Sequence, residues 1–310
     1  MWVHVLGSAA GGGFPQWNCH CRNCRGVREG SLPCRARTQS SIAVSADYAH
    51  WFLFNASPDI RNQIEAFPAL RPQGNVRQTP IQGIVLSDAE MDHTLGLLSL
   101  REARSLRLYA TAWVYAALHK GNPILRTLEA YCRVDWQRMS LGELVPLRLT
   151  DGIDSGLWCQ AFATLSTKRA IFAADVDVDA SAHGEATVGY RIVDGRTGRA
   201  LVYMPAVQDL NAAVRVQVED CACLLFDGTC WHDDELARVG IVGKTARAMG
   251  HLPIAGDDGS LEHLAELGHG RTLYIHINNT NPLLIEDSPE RQVVEARGIE
   301  VAVDGMEIEI

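Results

Sequence analysis

The chain has 310 residues, of which 47% are hydrophobic and 21% charged, and its formal net charge is −9. This composition is typical of a globular protein, and the negative charge argues against a nucleic-acid partner, since phosphate binding requires clustered lysine and arginine. No apolar run approaches the roughly 18 residues of a membrane span, and no signal peptide is evident. We therefore expect a cytoplasmic protein without a membrane partner, forming a single domain over residues 1–310.

The N-terminal segment combines a predicted strand, residues 2–6, with a glycine-rich loop, residues 7–13. A strand that runs into glycines can bring backbone N–H groups close to an anionic ligand, although tight turns use the same residues. The loop is not a dinucleotide-binding fingerprint, because Phe14 and Pro15 follow where a helix would have to begin.

Three cysteines follow at the spacing C-x-C-x-x-C, namely Cys19, Cys21 and Cys24. This spacing brings three thiolates to one face of a tight turn, which suits a tetrahedral zinc ion and predicts structural Zn²⁺. The fourth ligand is either His20 or a residue elsewhere in the chain. Nearby arginines could lower thiol pKa values or receive an anionic substrate, but solvated surface is the commoner role of such residues: Arg22, Arg25, Arg28, Arg35 and Arg37.

The remaining chain alternates between strand and helix patterns. Strands are predicted over residues 40–44, 51–55, 84–86, 106–110, 158–165, 187–193, 200–204, 221–226 and 272–277, with two short strands at the end. Helices are predicted over residues 59–67, 112–119, 210–218, 261–267 and 289–296, and region 123–142 is predicted to be mostly helical. Strand clusters with helices in each half indicate an α/β fold, with two sheets packed together and covered by helices.

The stretch 84–100 carries acidic residues and a histidine between a strand and a leucine-rich helical segment. Ser87 and Glu90 form the pattern of a helix capping box, which is one interpretation of the polar residues. The other is a functional site, since ligands of α/β proteins bind where loops leave the carboxyl ends of strands. Further candidates follow later strands, with Asp227 after one, His251 in a loop and His276 at the end of another.

These residues resemble a known superfamily. The motif Ser-Asp-Ala-Glu-Met-Asp-His that ends at His93, taken with Asp227, His251 and His276, is similar to the metal-site motifs of metallo-β-lactamases. Longer segments, residues 7–24, 227–235 and 276–282, closely resemble the B family of pyrroloquinoline quinone (PQQ) biosynthesis proteins, and the resemblance spans essentially the whole chain. It implies an αββα four-layer sandwich and a role in making PQQ, a redox cofactor built from a glutamate and a tyrosine of a ribosomal peptide.

The chain departs from the hydrolytic members of the superfamily at one metal site. Asp88 and Glu90 stand where hydrolases carry histidines, and no histidine occurs in residues 158–168. A dinuclear zinc hydrolase is therefore disfavoured, because its nucleophile is a hydroxide held between two metals. The resemblance implies that the other site survives, and two histidines with one or two carboxylates favour non-haem Fe²⁺, with zinc and Mn²⁺ as the alternatives. Its predicted ligands are Asp92, His93, Asp227 and His276.

The resemblance also suggests roles for the surrounding residues. Asp88 and Glu90 are expected to orient ligands or carry protons, with helix capping as the alternative, and His251 is the candidate general acid–base. In related phosphodiesterases the fourth ligand of the cysteine site is a histidine just after the last active-site histidine. Here that position is Asn279, a poor zinc ligand, so His269 is the predicted fourth ligand.

Three functions follow from this comparison. The first is an Fe²⁺- and O₂-dependent hydroxylase that acts on the tyrosine ring of a Glu–Tyr PQQ precursor. The second is a carrier that binds PQQ or its precursor for delivery or transport, and the weakest is a metal-dependent hydrolase. The expected partners are the precursor peptide or dipeptide or PQQ itself, with other pathway proteins and a homodimer left open.

Overall fold

The computed structural model describes residues 1–74, 76–164, 166, 170–173, 176, 184–267 and 270–310. Within these residues the strands form two sheets. The first sheet has the order β14-β1-β2-β3-β4-β5-β6. Its strands are β1 (Trp2–Gly7), β2 (Ser41–Ser45), β3 (Trp51–Phe54), β4 (Ile81–Val85), β5 (Ser105–Ala110), β6 (Arg133–Arg138) and β14 (Glu307–Glu309).

The second sheet has the order β13-β12-β11-β10-β9-β8-β7. Its strands are β7 (Leu144–Arg148), β8 (Asp154–Ala163), β9 (Val188–Asp194), β10 (Ala200–Met204), β11 (Cys223–Asp227), β12 (Arg271–Ile275) and β13 (Ile299–Val301). Strands β3 to β6 and β10 to β13 pair in parallel within their sheets. The carboxyl ends of β4 in one sheet and of β11 and β12 in the other lead into the predicted site residues, as expected for parallel strands.

The two sheets pack face to face through a buried apolar core. Phe54 of the first sheet makes edge-to-face contacts with Tyr190 and Tyr203 of the second, at centroid distances of 5.8 and 6.1 Å. All three side chains are fully buried. Aromatic pairs in this arrangement stabilise the fold by roughly 0.5–1.5 kcal/mol beyond their burial.

Helices cover the outer face of each sheet. Buried residues of α2, α4 and α5 pack on the first sheet, and those of α1, α6, α8 and α9 pack on the second. The architecture is therefore the predicted αββα four-layer sandwich. The helices are α1 (Arg22–Glu29), α2 (Ile60–Ala66), α3 (Met91–Thr94), α4 (Ala112–Ala116), α5 (Ile124–Glu129), α6 (Ala212–Val218), α7 (Glu235–Arg238), α8 (Ser260–Glu266) and α9 (Pro289–Ala296).

Two local predictions were wrong. Region 123–142 is not mostly helical, because α5 ends at Glu129 and β6 follows. The partly exposed residues of β6, a strand at the edge of its sheet, hide the alternation by which buried strands are recognised. The sequence pattern also missed β7, the edge strand of the other sheet. Among the described residues no helix is both long and apolar enough to cross a membrane.

The capping box predicted at Ser87 does not form. The helix that follows begins only at Met91, with Glu90 as its N-cap and no capping hydrogen bond from that side chain. It is one short turn, α3, which continues as the 3₁₀ segment Leu95–Leu100. The Ser87 hydroxyl instead bonds to Asn55 and Asp88, so this segment is organised around buried polar contacts.

Candidate metal centres

Asp92, His93 and His276 converge where β4 and β12 end. Asp92 and His93 lie on α3, and His276 directly follows β12. Asp92 Oδ2 lies 3.3 Å from His276 Nε2 and 3.9 Å from His93 Nε2. One ligand atom from each residue lies within 4.8 Å of the others, so this trio could hold a single metal ion.

A buried carboxylate orients His93. The two oxygens of Asp88 lie 2.9 and 2.7 Å from His93 Nδ1, and Asp88 Oδ1 also accepts a hydrogen bond from the Glu90 N–H. Burial by itself would raise the pKa of Asp88, but its interactions with His93 outweigh burial and lower the pKa. The ionised carboxylate accepts the Nδ1 proton, which leaves the Nε2 lone pair for a metal.

His276 is held through a hydroxyl rather than a carboxylate. Its Nδ1 lies 2.8 Å from Thr229 Oγ1, and that oxygen lies 2.6 Å from Asp227 Oδ1. The backbone of His276 is left-handed, with φ at 60°, a conformation uncommon for residues other than glycine. Burial lowers the pKa of His276, which keeps the imidazole neutral and able to donate a lone pair.

Asp227, at the end of β11, forms its own group with two histidines. Its Oδ2 accepts hydrogen bonds from the Val207 N–H at 2.9 Å and from His251 Nδ1 at 2.7 Å, while Oδ1 is engaged by Thr229. The carboxylate groups with His251 and His276 rather than with Asp92 and His93. The ligand atoms of Asp227, His251 and His276 also lie within 4.8 Å of one another, so these three residues could hold an ion too. The predicted ligands therefore divide into two groups that share His276, and Asp227 also supports His251 directly and His276 through Thr229.

His251 lies beside the trio, as its predicted acid–base role requires. Its ring stacks on that of His276 with the centroids 5.3 Å apart, and its Nδ1 is bonded to Asp227. Because Asp227 engages Nδ1, any acid–base role of His251 would fall to its Nε2 atom.

The trio, together with Asp88, Glu90, His251 and Ser166, lines a cavity of about 20 Å³. A cavity of this size accommodates one water molecule or ion. Glu90 lines it without capping α3 through its side chain, which fits the predicted role in orienting or proton transfer better than capping.

The glycine-rich loop approaches this cavity. A Cβ atom at Gly11 would lie 3.0 Å from Asp92 Oδ2, so a larger residue would press on that carboxylate. The loop thus packs directly against Asp92, and the absence of a side chain at Gly11 leaves room for that carboxylate.

The three predicted cysteines form a second candidate centre. Their sulfur atoms lie within 4.8 Å of one another, and Cys21 caps α1 by accepting from the Cys24 N–H at 3.5 Å. Arg28 braces the loop by donating to the carbonyl of Cys19. Burial raises the pKa of Cys24 to about 12, so a bound cation is needed to keep this thiol ionised at neutral pH.

Asn279 occupies the fourth corner of the cysteine centre. Its Nδ2 lies 3.2 Å from Cys19 Sγ, 3.3 Å from Cys24 Sγ and 3.8 Å from Cys21 Sγ. A half-turn of the amide would replace Nδ2 by Oδ1, an oxygen able to coordinate a cation. His269, the predicted fourth ligand, lies outside the described residues. His20, the local alternative, is exposed.

One arginine of the predicted set has a structural role. Arg37 is buried and donates to the Ala302 carbonyl at 2.6 Å, whereas Arg22, Arg25, Arg28 and Arg35 are exposed. The exposed residues agree with the surface interpretation.

Sequence reasoning missed two residues that support the ligands, Asn55 and Thr229. Each lies just beyond the end of a buried strand, as Asp88 does, and that position was the available signal. Neither has an ionisable side chain, so neither was a ligand candidate.

Comparison with known proteins places this site in context. A beta-lactamase superfamily domain model matches residues 50–277. Coenzyme PQQ synthesis protein B of Methylococcus capsulatus is 47% identical over 309 residues, 99% of each chain, and that of Azotobacter vinelandii is 45% identical over the full length of both.

Solved structures show the same fold. The crystal structure of Zn²⁺-bound PqqB from Methylobacterium extorquens is 41% identical, with a TM-score of 0.90 over all of both chains. A diphosphatase of the PhnP family superimposes with a TM-score of 0.68 over 100% of this chain and 97% of its own, at 19% identity. The latter likeness concerns the fold alone.

Proposed function

We infer the function of this chain from a premise of kinship: it belongs to the coenzyme PQQ synthesis protein B family, within the β-lactamase superfamily, and is a PQQ biosynthesis protein. We propose further that it is an Fe²⁺- and O₂-dependent hydroxylase of the tyrosine ring in a Glu–Tyr precursor of PQQ. The observation that carries this proposal is the trio of Asp92, His93 and His276, because two histidines and one carboxylate are the ligand set of non-haem iron oxygenases.

The ligand supports agree with a single catalytic metal. Asp88 already accepts hydrogen bonds from His93 Nδ1, Ser87 and the Glu90 N–H, which disfavours it as a ligand for a second ion. A hydrolase that needs a hydroxide between two metals would lack the residues for its first site. This disfavours hydrolysis, the weakest of the three functions.

Each residue of the site has a separate role in the proposed reaction. Bound Fe²⁺ would supply the activation of O₂: one oxygen atom would enter the tyrosine ring, and the other would leave as water with two electrons from an external reductant and two protons. Asp88 and Thr229 hold the two imidazoles with their Nε2 atoms towards the cavity, and Asp92 supplies the carboxylate. His251, oriented by Asp227, is placed to take the proton that the tyrosine ring loses when it regains aromaticity.

The cysteine centre is proposed to hold structural Zn²⁺, with Asn279 Oδ1 as the fourth ligand. Three thiolates suit zinc, and the relative from Methylobacterium extorquens is described as Zn²⁺-bound. The two centres would then carry different metals in one chain.

The test is to purify the protein without oxygen, measure its metals, and then supply Fe²⁺, O₂, a reductant and a Glu–Tyr dipeptide. We expect close to one equivalent each of iron and zinc, and a product heavier by one oxygen atom that carries the label from ¹⁸O₂. Asp92→Ala should abolish the product, whereas His232→Ala, which changes a histidine outside the trio, should not.

The carrier function makes the opposite prediction. It is motivated by the glycine-rich loop beside Asp92, whose backbone could receive a carboxylate of PQQ. Tight PQQ binding that is unaffected by Asp92→Ala, with no oxygenated product from any precursor form, would favour the carrier and contradict the hydroxylase.

A further inference from the structure

A chain of buried polar side chains connects the interface between the sheets with the candidate metal site. It begins at Tyr203 of β10, whose hydroxyl lies 3.4 Å from Asn55 Nδ2, just beyond β3. It continues through Ser87 to Asp88, which holds His93. The chain thus spans from the second sheet to a predicted ligand on the first.

Both the backbone conformation and the side-chain hydrogen bonds of Asn55 suit its place in this chain of side chains. Its backbone is left-handed, with φ at 66°, a conformation in which asparagine is several-fold enriched. Its side chain contacts Ser87 twice: Nδ2 donates to Ser87 Oγ at 3.0 Å, and Oδ1 accepts from the Ser87 N–H at 3.0 Å. The amide therefore fixes both the backbone and the side chain of Ser87.

The direction of the hydrogen bonds follows from the donors available. Ser87 Oγ accepts a hydrogen bond from the Asn55 amide. Its own proton has two possible acceptors, Asp88 Oδ2 at 2.8 Å and Asn55 Oδ1 at 3.1 Å. We assign it to Asp88, because that oxygen is nearer and belongs to a charged group. Asp88 in turn accepts from His93 Nδ1. The donors on both sides point towards Asp88, so the carboxylate selects the tautomer of His93 that carries its proton on Nδ1 and its lone pair on Nε2.

Burial strengthens this arrangement. Asn55, Ser87, Asp88 and His93 are each at most 3% exposed. Water cannot replace a missing partner there, and hydrogen bonds in a low-dielectric interior polarise one another. Loss of Ser87 or Asn55 would therefore weaken the hold on Asp88 Oδ2, although the Glu90 N–H would still bind Oδ1, and would loosen the orientation of the carboxylate towards His93.

We propose that Asn55 is a positioning residue of the metal site, which through Ser87 and Asp88 fixes the orientation and tautomer of His93. The inference rests on the proposed metal site, but not on the identity of its metal or on hydroxylation. It assigns a role in the site to residues that contact neither the metal nor the substrate.

The test uses Ser87→Ala and Asn55→Gly, the latter because glycine adopts a left-handed backbone without strain. The matched control is Ser41→Ala, which removes an equally buried hydroxyl that bonds to the backbone carbonyl of Asn55 but does not contact Asp88. Two readouts are used with the cysteine centre filled with Zn²⁺: Co²⁺ affinity, by competition with a chelator, and the visible spectrum of bound Co²⁺. The spectrum reports ligand geometry, which a general loss of stability would not change.

Ser87→Ala and Asn55→Gly are expected to weaken Co²⁺ binding about 10-fold and to shift the spectrum, as loss of the outer partners of metal ligands does. Ser41→Ala should leave both within about twofold of the wild type. Unchanged affinity and spectrum in Ser87→Ala would overturn the inference, as would an equal loss in Ser41→Ala. If Asn55→Gly does not fold, Ser87→Ala decides alone. If Asp92→Ala binds as much Co²⁺ as the wild type, the trio is not a metal site. That result would contradict the proposed metal site itself and can be told apart from a failure of the role proposed for Asn55.

Discussion

The two candidate metal centres are built in opposite ways. The cysteine centre takes three ligands from six consecutive residues, Cys19 to Cys24, whereas Asp92 and His276 are 184 positions apart. Soft sulfur donors from one tight turn require only local structure, and they suit zinc in a structural role. The mixed set of nitrogen and oxygen donors requires both sheets to be in place. The cysteine centre can therefore be recognised from the spacing of its residues in the sequence, whereas the residues of the trio are brought together only by the fold.

The largest expected effect separates the two centres. Asp92→Ala should abolish metal binding at the trio, a loss of at least about 100-fold in affinity, while the cysteine centre keeps its metal. His276→Asn should do the same, and asparagine is chosen because it tolerates the left-handed backbone at this position. Metal content after dialysis measures both centres. Loss of both metals from either variant would contradict their independence.

The reciprocal change is Cys24→Ser. We expect it to release the metal of the cysteine centre and to lower the free energy of unfolding by about 3 kcal/mol, the stabilisation from a ligand present at 100 times its Kd. Chemical denaturation with and without added Zn²⁺ measures this difference. Cys132→Ser, at a buried cysteine outside the centre, is the control and should not alter the response to Zn²⁺.

The free energy of unfolding should depend on pH through Glu235, which contacts the loop that follows His276. This buried carboxyl contacts Thr280, next to Asn279, and burial raises its pKa to about 7 from 4.5. The folded state therefore binds the proton more tightly than the unfolded state, so the contribution to stability is complete below pH 4.5 and is lost as pH rises through 7. The loss is up to about 3 kcal/mol, at 1.36 kcal/mol for each pKa unit.

Glu235→Gln imitates the protonated carboxyl and should remove this slope. We expect the variant to be more stable than the wild type at pH 8 and similar to it at pH 5, as measured by denaturation at each pH. Parallel curves for the two proteins across this range would show that Glu235 titrates normally. Glu295→Gln, at an exposed carboxyl, serves as the control.

The smallest effect is expected for Asn279→Ala. It removes the side chain at the fourth corner but keeps the backbone carbonyl that accepts from Asn23. If Oδ1 is a ligand, Zn²⁺ should leave the cysteine centre several-fold faster, because three thiolates still hold it. Stopped-flow transfer of Zn²⁺ to a chelator measures the rate. An unchanged rate would mean that water or another residue supplies the fourth ligand.

The contrast between the centres also explains what could be predicted from sequence. Buried strands such as β4 and β11 and the cysteine spacing carry strong local signals, and the four-layer fold followed from them and from family resemblance. The edge strands β6 and β7 were missed because their partly exposed residues lack a clear period.

Within the site, the types of residue were predictable but their division of labour was not. Asp92, Asp88 and Asp227 are all carboxylates after or near strand ends, yet only contacts across the fold show that Asp88 and Asp227 each face the Nδ1 of a histidine. For Asn55 and Thr229 the position after a strand was the whole signal, since the hydrogen bonds that show their roles join segments that lie far apart in the chain.

The origin of the trio in both sheets has a consequence for folding. Asp92 and His93 follow a strand of one sheet and His276 follows a strand of the other, so an ion bound to all three would cross-link the two sheets. Closing so long a stretch of chain is slow, which makes the trio one of the last features to form. Free metal would then stabilise the fully assembled chain, in addition to the apolar core between the sheets, by an amount that grows with the metal concentration.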